Sequence, residues 1–162
     1  MCPETSSYGW IKFTGSRHLD LIGTALKSDV LSDLFETYEI DVVYRYDRIH
    51  ENQPDQYVAE VPQLGLEFLF DSQQRLSTLF IEDTEINGFN PFEGDPVGLP
   101  RFGSKGDAIT HAKRNAIELS EGRANFLGII RDWVRFEHEK YSVHYEFVDS
   151  KLEKITVQAR HA

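Results

Sequence analysis

Between Leu19 and Tyr38 apolar residues recur at threes and fours: Leu19, Ile22, Leu26, Val30, Leu31, Leu34 and Phe35. That spacing lines them along one side of a helix, and such a side must be buried against another element. Ser28 is a start signal, with Asp29 at the positive end of the helix dipole, so a helix is predicted over 28–37. The period then changes. Asp41-Val42-Val43-Tyr44-Arg45-Tyr46 is β-branched and aromatic, and Gln56–Val61 forms a further strand stopped by Pro62. The runs 66–70 and 76–81 flank Asp71-Ser72-Gln73-Gln74-Arg75 as a hairpin.

The same order returns. Ser104 caps a second helical pattern, Asp107 follows three residues later, and Ala108, Ile109, Ala112, Ala116, Ile117 and Leu119 extend it over 105–119, ending before Gly122. Asp132-Trp133-Val134-Arg135-Phe136-Glu137 alternates as a half-buried strand, and 141–148 and 152–159 flank Asp149-Ser150-Lys151. Both halves place an Asp-Ser turn before a final L-x-x-[LI]-x-[IV] strand, Leu76 to Ile81 and Leu152 to Val157.

One helix on a short sheet buries too little surface to be secure alone. The fold class expected is therefore α+β: two tandem helix-plus-antiparallel-sheet repeats sharing one core or a continuous sheet. Alternating strands and Asp-Ser turns are common, so coincidence is the competing explanation of the likeness. The first half is placed at 1–86, with the aromatic segment Tyr8 to Phe13 as a strand or docked arm, and the second at 104–162. The connector, 87–103, is dense in Gly, Pro, Asn and Asp, yet carries Phe89, Phe92 and Leu99, so it is expected to pack down.

Charge narrows the function. Among 162 residues, 27 acidic side chains outnumber 17 basic ones, giving a formal net charge of -10. Such a field repels phosphate backbones and anionic lipid, so neither nucleic acid nor membrane is the expected partner. It attracts a basic protein, although acidity also serves solubility alone. No apolar run is long enough to span a bilayer, the N-terminus lacks the pattern of a secretory signal, and Cys2 has no internal partner. A cytoplasmic protein is expected.

The familiar catalytic signatures are missing: no phosphate-binding Gly-rich loop, Cys-x-x-Cys, His-Glu-x-x-His or Gly-x-Ser-x-Gly. Candidate partner-binding residues are Asp29, Asp33 and Glu36, one acidic stripe on the first helix, and Asp47, Glu51 and Asp55 in the polar stretch after it. Tyr44 and Tyr46 share a strand face and would serve as anchors if exposed. The alternative is a small metal-binding protein or hydrolase-like enzyme, in which pairing of 132–138 with 142–148 brings His138 near His144 and nearby carboxylates. Against it, alternation puts Glu137 and His138 on opposite faces. No cofactor is expected. A third reading is an assembly module that forms a homodimer through its sheet edges.

The helix-then-sheet order, given twice, resembles the tandem architecture of the β-lactamase inhibitor protein family. The passage Gly98-Leu99-Pro100-Arg101-Phe102-Gly103-Ser104-Lys105, followed by Trp133 and the strand with Tyr145 and Phe147, resembles bacterial immunity proteins of polymorphic and contact-dependent toxin systems. The resemblance implies a cytoplasmic inhibitor that neutralises a basic toxin or effector domain by steric and electrostatic occlusion. It carries over no contact residue.

Overall fold

The computed structural model describes residues 18–46, 54–93 and 99–160. In chain order these form a 3-10 turn (His18–Leu21), helix α1 (Asp29–Thr37) and strands β1 (Val42–Arg45), β2 (Gln56–Val61), β3 (Leu66–Phe70) and β4 (Leu76–Glu82). Helix α2 (Lys105–Arg114) and strands β5 (Glu118–Phe126), β6 (Ile129–Glu137), β7 (Tyr141–Val148) and β8 (Lys151–Ala159) follow. The strands make one continuous eight-stranded antiparallel sheet, ordered β1-β2-β3-β4-β8-β7-β6-β5. The joint is at the centre, where Leu79 of β4 faces Val157 of β8 and Ile81 faces Ile155. Among the described strands, that leaves β1 and β5 as the two edges.

Alternation decides the two faces. Leu66, Phe68 and Phe70 are buried, and the register carries the same face through Leu79 and Ile81, Ile155 and Val157, Val143 and Tyr145, to Val134 and Phe136. Both helices lie on this face. The Phe35 ring of α1 meets Phe68 at 5.4 Å and Phe70 at 6.3 Å. In the second half of the sheet His111 of α2 stacks on Phe136, and Phe102 meets Tyr145 at 5.0 Å. One apolar cluster runs beneath both helices.

Each helix ends in the same way. Glu39 and Ala116 both adopt φ 53°, and Ile40 N–H donates to Phe35 C=O as Ile117 N–H donates to Ala112 C=O, each at 2.8 Å. This is a Schellman stop, made here without glycine. It corrects the expectation of a helix over 105–119: α2 ends at Arg114, and the next segment is β5, paired along its length with β6. Ala116, Ile117 and Leu119 fit a helical period locally, but Ala116 and Ile117 form the helix stop and Leu119 enters the ladder opposite Phe136. The early part of the 19–38 pattern is likewise not helical. After the 3-10 turn, Gly23 N–H donates to Leu76 C=O and Leu26 N–H to Gln74 C=O, so this stretch straps the β3–β4 turn.

The two Asp-Ser turns share wording, not construction. Asp71 Oδ1 accepts from the backbone N–H groups of Gln73 and Arg75, whereas Asp149 and Ser150 form a tight turn with φ 51° and 64°. The described part of the connector packs down: Phe92 and Leu99 are buried, and Arg101 donates to the Phe92 carbonyl and pairs with Asp83. The arm at Tyr8 to Phe13 lies outside the described residues. Among those residues, no helix is long and apolar enough to cross a membrane.

Candidate functional site

Burial of Leu31, Leu34 and Phe35 turns the opposite side of α1 outward, so Asp29, Asp33 and Glu36 are all exposed. The tyrosines sit on the same side of the sheet. Tyr44 faces Tyr57 across the β1–β2 ladder, with ring centroids 5.0 Å apart, and Tyr46 stacks on Tyr44 at 5.8 Å. Tyr57 in turn faces Phe70, which meets Phe35. A row of rings thus leads from the exposed sheet edge to the core under α1. Tyr44 Oη donates to Asp55 Oδ2 at 2.6 Å, a bond that ionisation would destroy, and this pushes the phenol up to about 12. The structure therefore joins Tyr44, Tyr46 and Asp55. Asp47 and Glu51 lie outside the described residues.

His138 and His144 are not brought together. The hairpin register sets Arg135 opposite His144 and Glu137 opposite Ser142. His144 consequently lies on the open face, stacked on Trp133 at 5.2 Å and 3.5 Å from Glu146. His138 lies on the helix side against the Tyr141 ring, where burial pushes its imidazole down. The pleat separates the two rings, which corrects the expectation that one face would gather them. Among the described residues, no group of three or more His, Cys, Asp or Glu is placed to hold a metal ion.

The open face largely pairs its own charges. Lys154 Nζ is 3.1 Å from Glu82 and lies over the Phe80 ring, Arg131 is 3.3 Å from Glu153, and Arg135 pairs with Glu137. Burial pushes the Glu82 carboxyl up, against the pull of Lys154. Glu146 is held below the usual range by the neighbouring His144.

A third surface escaped the sequence reading. The β5–β6 ladder continues to Phe126 opposite Ile129, whereas β6 pairs with β7 only as far as Asp132 opposite Phe147. The ribbon over 123–131 therefore overhangs the sheet. Its two-residue turn has Leu127 at φ 53° and Gly128 at φ 82°, a conformation that a leucine side chain disfavours. Four bulky apolar side chains crowd the tip: Phe126 is 68% exposed, Leu127 86%, Ile129 46% and Ile130 47%. At the base Arg123 pairs with Asp132 at 2.8 Å and holds that carboxyl below its usual range. Among the described residues, the large exposed apolar side chains fall only at this tip and along Val42 to Tyr46. The sequence signal is Leu127-Gly128 set between Phe126 and the pair Ile129-Ile130, and a helix extended to 119 with a strand starting at 132 conceals it.

No protein-family model, curated protein or solved structure matches the chain.

Proposed function

We propose that this chain is a protein-binding inhibitor, an immunity protein that neutralises a cognate basic toxin in the bacterial cytoplasm by steric and electrostatic occlusion. The observation that carries the reading is the overhanging β5–β6 finger. Exposed apolar side chains concentrated at one tip favour a binding site over general solubility. Seating Phe126, Leu127, Ile129 and Ile130 in a cleft would gain roughly 1.5–3 kcal/mol for each side chain fully buried, less the cost of association. A two-stranded ribbon holds them in place beforehand.

The acidic surfaces supply the attraction. Asp29, Asp33, Glu36 and Asp55, within a chain of net charge -10, would steer a basic partner and raise its encounter rate. Tyr44 and Tyr46 offer rigid aromatic contacts beside them.

The finer architecture fits an inhibitor scaffold built from two tandem repeats. The helix caps Ser28 and Ser104 are 76 residues apart, both helices close on a left-handed non-glycine residue, and four strands follow each. The strand order is symmetric about the β4–β8 joint, as fusion of two copies of one unit would produce.

Co-expression with a candidate toxin domain taken from an adjacent gene should rescue growth and co-purify the pair. Failure of both would sink the assignment for that pair. Phe126→Ser/Ile130→Ser should abolish capture while leaving the fold intact.

A further inference from the structure

The two sheet edges are built differently. Along β5 lie Glu118, Glu121 and Arg123, while Lys105 Nζ reaches the Gly122 carbonyl at 3.5 Å and Glu121 at 3.6 Å. Charges and covering side chains of this kind keep an edge from pairing with another chain. Among the described residues, the opposite edge carries no such cover. All four residues of β1 are exposed, Arg45 is its one charge, and Val43 presents an aliphatic side chain that is 54% exposed.

We infer that β1 is a homodimer edge: two copies pair β1 with β1, antiparallel, about a two-fold axis through Val43. The register follows from the residues. Centring on Val43 sets Asp41 opposite the partner's Arg45 and Val42 opposite the partner's Tyr44. Alternation keeps Asp41, Val43 and Arg45 on the open face, with Val58 opposite Val43 in the existing ladder. Opposite charges directly across a ladder are favourable, and a two-fold contact makes each such pair twice. Centring on Val42 leaves Asp41 facing valine, and centring on Tyr44 leaves Arg45 facing valine. A slip of one residue would put the apolar and charged sets on mismatched faces. Tyr44 is already held by Asp55 and its ring lies against Tyr57, so little side-chain freedom is lost when the partner packs against it.

The dimer places both β5–β6 fingers at the far ends of the joined sheet. It does not depend on the toxin reading.

The test is sedimentation velocity with light scattering on the full chain, from low micromolar to submillimolar concentration. A four-residue edge buries a modest area, so a concentration-dependent dimer is expected. Asp41→Arg alone and Arg45→Asp alone each oppose like charges twice, and should raise the dissociation constant roughly tenfold. The double swap restores opposite charges in both pairs and should return it to near the wild-type value. Val43→Glu sets two carboxylates on the axis and should leave a monomer. All three positions are exposed, and circular dichroism with thermal melts checks that each variant folds. A wild-type chain that stays monomeric throughout, a dimer indifferent to Val43→Glu, or a double swap that fails to restore association overturns the proposal. Toxin capture is a separate readout: the finger variant should lose it and still dimerise.

Discussion

Gly122 stands directly opposite Trp133 in the β5–β6 ladder, and a methyl group there would come within 2.7 Å of the indole Cζ2. The missing side chain is what lets the indole lie across β5 while its ring stacks on His144 at 5.2 Å. Gly122→Ala should therefore displace the indole and destabilise the fold by about 1–3 kcal/mol, the usual cost of overpacking. Denaturant unfolding measures the loss. Tryptophan emission in a Trp10→Phe background should shift at the same time, and an unchanged spectrum would contradict the packing described.

The two helix caps should respond unequally. Ser104 Oγ accepts the Asp107 N–H at 3.1 Å, whereas Ser28 makes no side-chain cap bond and its buried Oγ has no hydrogen-bond partner. Ser104→Ala should cost about 1 kcal/mol. Ser28→Ala should be neutral or slightly stabilising, because it removes a polar atom that burial leaves unsatisfied. Equal losses in paired melts would count against this difference.

Glu67 gives the chain a pH dependence of definite sign. Its carboxyl is pushed above the ordinary value of 4.5, first by burial and then by Glu60 directly across the ladder. The folded chain thus holds this proton more tightly than the unfolded one. Its contribution is fully present below the unfolded pKa and is lost as pH rises through the folded pKa. Glu67→Gln should raise the melting temperature near neutral pH, with the advantage closing as the solution is acidified. A constant gap across that range would show that the carboxyl does not titrate as described.

The finger trades stability for exposure. Leu127 occupies a left-handed position that suits asparagine, so Leu127→Asn should stabilise the chain by on the order of 1 kcal/mol. If the tip is the toxin contact, the same variant should weaken rescue from the toxin. A stabilised variant with full rescue would remove Leu127 from the contact.

The Tyr44–Asp55 bond is open to direct titration. Asp55→Asn removes the carboxylate whose hydrogen bond opposes ionisation, so Tyr44 should titrate at lower pH than it does with Asp55 present. Ultraviolet titration of the tyrosines, with Tyr44→Phe identifying the signal, should find this transition at lower pH. An unmoved transition would mean that the bond does not persist in solution.

Several elements were legible from local pattern alone. The helix expected at 28–37 is α1, and the strands expected over 56–61, 66–70, 76–81, 141–148 and 152–159 are β2, β3, β4, β7 and β8 within a residue or so at each end. In those stretches one period dominates and a turn or proline ends it, so neighbouring residues suffice to decide the conformation. They do not suffice where two periods compete. Ala116 to Leu119 reads as helix until the left-handed stop at Ala116 turns the chain and β6 supplies a ladder from Glu118, and Leu19 to Leu26 reads as helix until the β3–β4 turn accepts its hydrogen bonds.

The candidate site divides along the same line. Sequence alone determined which residues carry charge and which alternate, and so marked the acidic stripe on α1 and the shared face of Tyr44 and Tyr46. Only the tertiary structure decided what stands opposite what. Pairing put His138 and His144 on opposite faces, tied Tyr44 to Asp55 and left β6 longer than its β7 partner, with four apolar side chains at the overhang. Exposure is a property of the neighbours a residue meets in space, and spacing along one strand cannot state how far the next strand extends.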